Sequence, residues 1–209
     1  MADSSTLIID YDAGNLRSVQ RACTEVGLRA EISADPDRVR RAERVIFPGV
    51  GAAGSAMRSI TRNGMDLALK EVIAAGKPVL GICLGLQISL DHSEEGDQET
   101  LGLLSGEVRR FRFDRRDLKI PHMGWNEVRV VREHPVLAGI EPGDEFYFVH
   151  GYYPDPADAD QICAETDYET TFACAVAREN YFATQFHPEK SGRVGLRLID
   201  AFARWDGQC

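Results

Sequence analysis

The chain has 209 residues, 44% hydrophobic and 27% charged, with a formal net charge of −9. That length suits one α/β domain, residues 1–209, with a core that needs no staples. The acidic balance argues against nucleic-acid binding, and no run approaches the ~18 apolar residues of a membrane span. In chain order, the polar start Met1-Ala2-Asp3-Ser4-Ser5-Thr6 carries no basic secretory signal. Leu7–Asp10 reads as a buried strand, and residues 15–26 as a helix with Leu16, Val19, Cys23 and Val26 on one face and Gly27 as its stop. Ala30–Ser33 and Val45–Phe47 read as strands, the latter ended by Pro48; Met65–Ala75 reads as a helix closed by Gly76, and Val79–Ile82 as a fourth strand. The second half is richer in strands: 107–113, 127–131, 145–149, 162–165, 172–177 and 181–186, then a helix over 194–205. Asp155–Asp160 reads as an acidic loop. Alternating strands and helices imply a mostly parallel central sheet covered by helices on both faces, with an extra small β-sheet or hairpin region in the second half.

Five cysteines, at 23, 83, 163, 174 and 209, form no CxxC pair and no cluster of zinc spacing. Reduced thiols in a cytoplasmic protein fit this usage, and no metal or cofactor is expected. Cys209 is expected at the surface, and Cys23, Cys163 and Cys174 as small buried hydrophobes. Cys83 differs. Gly81-Ile82-Cys83-Leu84-Gly85 follows the apolar Pro78-Val79-Leu80 and opens Leu86–Leu90, which can be helical. A small–x–nucleophile–x–small pattern between strand and helix describes a nucleophile elbow. Its tight turn demands glycine on both flanks, and the free N–H groups of a helix start favour a thiolate. A nucleophile needs a base, and the base an orienter. His187 and Glu189, two apart at a strand end, lean the same way and complete a Cys-His-Glu triad.

Gly81–Gly85 together with His187-Pro188-Glu189 resembles the class I glutamine amidotransferases, of flavodoxin-like architecture. Several other runs narrow the likeness: Ile9-Asp10-Tyr11, Gly14-Asn15-Leu16-Arg17-Ser18, Phe47-Pro48-Gly49-Val50-Gly51, Pro121-His122-Met123-Gly124-Trp125-Asn126, Tyr147-Phe148-Val149-His150 and residues 185–192. These are similar to the glutaminase subunits of imidazole glycerol phosphate synthase. The resemblance implies a glutaminase in which Cys83 attacks the side-chain amide of L-glutamine, His187 shuttles the proton and Glu189 steadies His187. It implies an oxyanion hole from Leu84 with Gly49 and Val50, in a strand that switches on when the partner's substrate binds. Gly51, Gln87, Glu95, His150, Gly151 and Tyr152 then belong to the glutamine pocket; a solvated acid at 95 and a structural histidine at 150 are the plain alternatives. With no second active site in the chain, the ammonia must pass to a partner, the cyclase subunit that makes imidazole glycerol phosphate and AICAR in histidine biosynthesis. Asn15, Arg21, His122, Met123, Trp125, Asn126 and Lys190 match family positions at or near that heterodimer interface, with an ordinary core aromatic as the alternative for Trp125. Two residues depart from the family pattern: Asp12, where a small residue is usual, and Gly151, where Ser or Thr is common. An amidotransferase subunit of the anthranilate or aminodeoxychorismate type, a silent regulatory subunit, and a cysteine hydrolase or redox sensor sharing only the elbow are the competing readings.

Overall fold

The computed structural model describes residues 6–113 and 119–208, so the readings made for Met1–Ser5 and Cys209 lie outside the described residues. The elements are β1 (Thr6–Ile9), α1 (Leu16–Glu25), β2 (Ala30–Ser33), α2 (Pro36–Arg41), β3 (Arg44–Gly49), α3 (Ala53–Arg62), α4 (Met65–Ala74), β4 (Val79–Cys83) and α5 (Leu84–Gln87). There follow β5 (His92–Ser93), β6 (Gln98–Glu99), β7 (Gly106–Arg110), β8 (His122–Glu127), β9 (Arg129–Val130), β10 (Glu145–His150), β11 (Tyr152–Pro156), β12 (Ile162–Tyr168), β13 (Thr170–Arg178), β14 (Tyr181–Thr184) and α6 (Gly192–Arg204). An eight-stranded sheet runs β2-β1-β3-β4-β14-β13-β12-β9. Its first five strands are parallel and the last three are added antiparallel.

Successive side chains of a strand point to opposite faces, which is why the buried strands here are apolar throughout. Ile8, Ile46, Leu80 and Phe182 enter one core with Leu16 and Val19 of α1 and Leu198 and Phe202 of α6. Leu7, Val45, Val79 and Ala183 enter the other, with Ile60 of α3 and Leu69 and Val72 of α4. A four-stranded sheet, β11-β7-β5-β6, and the β8–β10 pair form the smaller β region. This is the expected architecture, with local corrections. β3 runs through Pro48 to Gly49, paired to β4, because β1 accompanies it only as far as Ile46 and the missing proline donor meets no second neighbour. The segment after Cys83 is a single helical turn and not a helix to Leu90. The 127–131 run is split between β8 and β9, and part of the expected acidic loop is strand β11, followed by a 3₁₀ turn at Ala159–Gln161.

Candidate active site

β4 is central, and its carboxyl end delivers Cys83 between β3 and β14. Cys83 takes φ 53°, ψ −104°, a strained backbone for a residue with a side chain. Gly81 and Gly85 are needed for space rather than for unusual φ. A Cβ at 81 would lie 2.4 Å from Tyr181 Oη, and one at 85 would lie 2.0 Å from the Phe47 carbonyl oxygen. A Cβ at Gly49 would strike Tyr11 Oη at 2.0 Å and Leu84 Cβ at 3.0 Å, so the side chains of Tyr11 and Leu84 fill the space above β3 beside the elbow. Gly51, at φ +108°, lets the chain leave β3 before α3, and Val50 between these glycines is partly exposed. A four-residue helix leaves the N–H groups of its first turn, Leu84 among them, without helical partners.

His187 and Glu189 are brought together by a 3₁₀ turn at Pro188–Lys190, not by strand alternation, because β14 stops at Thr184. His187 Nδ1 donates to Glu189 Oε1 at 2.7 Å, and both side chains are buried. Burial by itself would lower the His187 pKa, but Cys83 on one side and Glu189 on the other outweigh it and lift it to about 10. Among the described residues its buried Nε2 has no hydrogen-bond partner. The turn is pinned by Ser191, whose Oγ donates to the His187 carbonyl at 2.6 Å and accepts from Tyr147 N–H at 3.0 Å. Asn15, expected at or near the partner interface, donates from Nδ2 to Glu189 Oε1. It does so from the N-cap of α1 with φ 74°, a left-handed conformation that asparagine tolerates better than most residues.

A buried polar line continues from the sulfur. Gln185 Nε2 donates to Cys83 Sγ at 3.6 Å, and Gln87 Nε2 donates to Gln185 Oε1 at 2.9 Å and to the Tyr152 carbonyl at 2.8 Å. His150 Nδ1 shares that carbonyl at 2.8 Å, its Nε2 meets His122 Nδ1 at 3.1 Å, and Asn126 Nδ2 meets His122 Nε2 at 3.3 Å. A carbonyl only accepts, so His150 carries its proton on Nδ1 and His122 donates to it. Of the other expected pocket residues, Glu95 is half-buried and its Oε2 accepts from Ala53 N–H at 2.7 Å, at the start of α3 just beyond Gly51. Gly151 has room for a side chain, since a Cβ there would lie 3.5 Å from Ile120 Cγ2, an ordinary contact.

Burial lowers the pKa of His122 to about 4, of His134 to about 4 with help from Arg132, and of His150 to about 3. Each binds a proton less readily folded than unfolded, so unfolding takes up protons as pH falls from 6.5 towards 4. Urea unfolding midpoints followed against pH should therefore fall steeply in that window. Three histidines set a ceiling of about 4 kcal/mol per pH unit. His187 has the opposite sign: its contribution is complete below 6.5 and is lost as pH rises through about 10. A flat profile between pH 4.5 and 6.5 would contradict neutral, buried imidazoles.

The model of the glutamine amidotransferase class-I family matches residues 7–203. The chain belongs to the class I glutamine amidotransferase family. It is 48% identical to the imidazole glycerol phosphate synthase subunit HisH of Neisseria gonorrhoeae, over 96% of this chain and 99% of the relative. It is 47% identical to the protein of the same name from Nitrosococcus oceani, over 98% and 99%. Among solved structures, PurLQS from Thermotoga maritima is similar with a TM-score of 0.74 at 20% identity, covering 95% of this chain and 96% of the other. The glutaminase domain of CTPS from Trypanosoma brucei gives 0.66 at 18%, covering 98% and 97%. At those identities the two structures speak for the fold alone.

Within this amidotransferase fold, the residues expected at the partner surface divide. Met123 and Trp125 are 63% and 54% exposed on one face of β8, so Trp125 is not a core aromatic. Tyr147, opposite Trp125 in the register, stands edge-on to it at 6.3 Å, and Lys190 Nζ lies 5.8 Å from the Tyr147 ring centre. Arg21 is exposed on α1. His122 is buried, stacked between Phe148 and Tyr168, with its Nε2 met by half-buried Asn126. Asp12 ties its loop to α3, accepting from Ser59 Oγ at 2.9 Å and Arg62 at 3.1 Å. Sequence reasoning missed Gln185 and Ser191 as site residues, although both flank the His-Pro-Glu run that it singled out.

Proposed function

We propose that this chain is the glutaminase subunit of an imidazole glycerol phosphate synthase, working in the cytoplasm as one amidotransferase domain over residues 1–209. It hydrolyses L-glutamine and hands the ammonia to a cyclase subunit bound as a heterodimer. The observation that carries the reading is the buried Glu189–His187 pair, with the free edge of the imidazole turned to the influence of Cys83. Cys83 adds to the carboxamide carbon, and the developing oxyanion is held by the Leu84 N–H and a donor from Gly49–Val50. His187 gives its proton to the leaving nitrogen, ammonia departs and a thioester remains. Water, deprotonated by His187, then attacks the thioester and releases glutamate and the thiolate. Glu189, held by Asn15, keeps the ring in place and balances its charge. The free cysteines among the described residues fit a reducing compartment. The deciding test is glutaminase activity of the purified chain alone and with a cyclase subunit plus its ribonucleotide ligand. Activity that rises sharply only in the ternary mixture supports the reading; indifference to that partner rejects it.

The partner docks on the exposed Met123–Trp125 face beside Lys190. Large aromatics at the centre of an interface commonly carry about 2 kcal/mol or more. Trp125→Ala should therefore weaken the complex by about 30-fold in a titration by calorimetry. Its melting temperature should stay close to wild type, because the side chain covers little of the core. Unchanged affinity would remove Trp125 from the dock.

A further inference from the structure

Gln185 is fully buried, immediately after β14, and its backbone N–H donates to the Cys174 carbonyl at 2.8 Å. The sense of its side-chain amide is dictated from two steps away. The Tyr152 carbonyl can only accept, so Gln87 must turn its NH₂ toward it. The second proton of that same NH₂ then faces Gln185, which must answer with Oε1, at 2.9 Å. With its oxygen so placed, Gln185 can present only its NH₂ to Cys83 Sγ, at 3.6 Å. His150 also donates to the Tyr152 carbonyl, filling its two lone-pair sites and fixing the start of the series. A buried N–H aimed at sulfur gains little from a neutral thiol and much from a thiolate, because charge-assisted hydrogen bonds are about twice as strong as neutral ones. His187, favoured as imidazolium, gives the sulfur a positive neighbour, while its Nε2 has no hydrogen-bond partner among the described residues. Gln185 is thus the side-chain donor that meets Cys83 among the described residues.

We infer that Gln185 is a positioning residue that holds Cys83 as a thiolate aimed for attack, and that Gln87 acts by orienting the Gln185 amide. This rests on the reading of Cys83 as the nucleophile. It also gives Gln87 a task besides lining the glutamine pocket, since both protons of its amide are already engaged within the protein.

The test uses the full chain bound to a cyclase partner, with iodoacetamide as the probe, an alkylating agent without the amino-acid head of glutamine. Inactivation rates are measured from pH 5 to 10 for wild type, Gln185→Leu, Gln185→Met, Gln87→Leu and the Gln87→Leu/Gln185→Leu double variant. The site of alkylation is confirmed by peptide mass spectrometry. Losing a hydrogen bond to a charged group should slow alkylation of Cys83 at neutral pH by roughly tenfold or more in both Gln185 variants. The pH of half-maximal inactivation should move upward. Glutaminase kcat should fall while KM stays within about twofold, as expected when bound-substrate contacts are untouched. Gln87→Leu should shift the profile the same way, and the double variant should be no slower than Gln185→Leu alone, because the two amides act through one hydrogen bond to sulfur. A wild-type inactivation profile in folded Gln185→Met or Gln185→Leu would overturn the inference. So would a change confined to KM, or strictly additive losses in the double variant. Failure of the underlying reading looks different: the wild-type complex would then lack glutaminase activity, or keep it after Cys83 is alkylated.

Discussion

Cys83→Ala is expected to abolish glutamine-dependent synthesis while leaving synthesis from added ammonium salt intact in the complex with the cyclase partner. Removing a nucleophile that acts as one unit with its base costs on the order of 10⁴- to 10⁶-fold in kcat. The side chain is small and loses only its sulfur on the change to alanine; among the described residues Gln185 donates a hydrogen bond to that sulfur, at 3.6 Å. The elbow backbone is set by the close packing at Gly81 and Gly85, and alanine at φ 53° bears the same strain that cysteine does. The variant should therefore fold, bind its partner and deliver nothing. Two steady-state assays on one preparation, with glutamine and with ammonium chloride at alkaline pH, separate the outcomes. Loss of both activities would mean that the chain does more for the cyclase than supply ammonia. Retention of the glutamine reaction would remove Cys83 from the chemistry altogether.

The legible parts of this molecule were those where one residue type answers a local constraint. An elbow needs small residues around its nucleophile, and the Gly-x-Cys-x-Gly run announces it; the steric cause proved to be tertiary, with Tyr181 and the Phe47 carbonyl occupying the space. The α2 helix was missed although Asp35 caps it, accepting from Asp37 N–H, ahead of Pro36 at the first helical position, a start signal available in the sequence. The α3 helix offered no such signal, because Ala52 caps it without a side-chain hydrogen bond and its help comes from Glu95, distant in the chain. The β8 strand was hidden by inversion: His122 points inward and Met123 and Trp125 outward, so its apolar side is the exposed one. Asn15 and Gln185 meet the triad across 174 and 102 residues, and a pairing of that range leaves no periodicity to read.

Gly85→Ala should be severely damaging for a single added methyl group beside the elbow. The new Cβ would stand 2.0 Å from the Phe47 carbonyl oxygen and 3.1 Å from its carbon, both backbone atoms of the central strand β3. Flexible side chains can rotate away from such an intrusion, but Phe47 is laddered to Gly81 of β4 and follows directly on Ile46, which is laddered to β1, so it cannot move without straining those ladders. Overpacking typically costs about 1–3 kcal/mol and more where backbone must shift, so a loss of roughly 3–5 kcal/mol is expected. For a chain of this size that corresponds to a melting temperature lower by about 10 °C or more, or to failure to accumulate as folded protein. Gly143→Ala is the informative contrast. There φ is +88° and nothing lies within 4 Å of the added Cβ, so only the backbone preference is lost, about 1 kcal/mol. Thermal unfolding of the two variants side by side distinguishes space from torsion as the reason for glycine. Equal losses would mean that β3 yields more easily than its pairing implies, and that the approach of Phe47 to the elbow is not what holds Cys83 in its strained conformation.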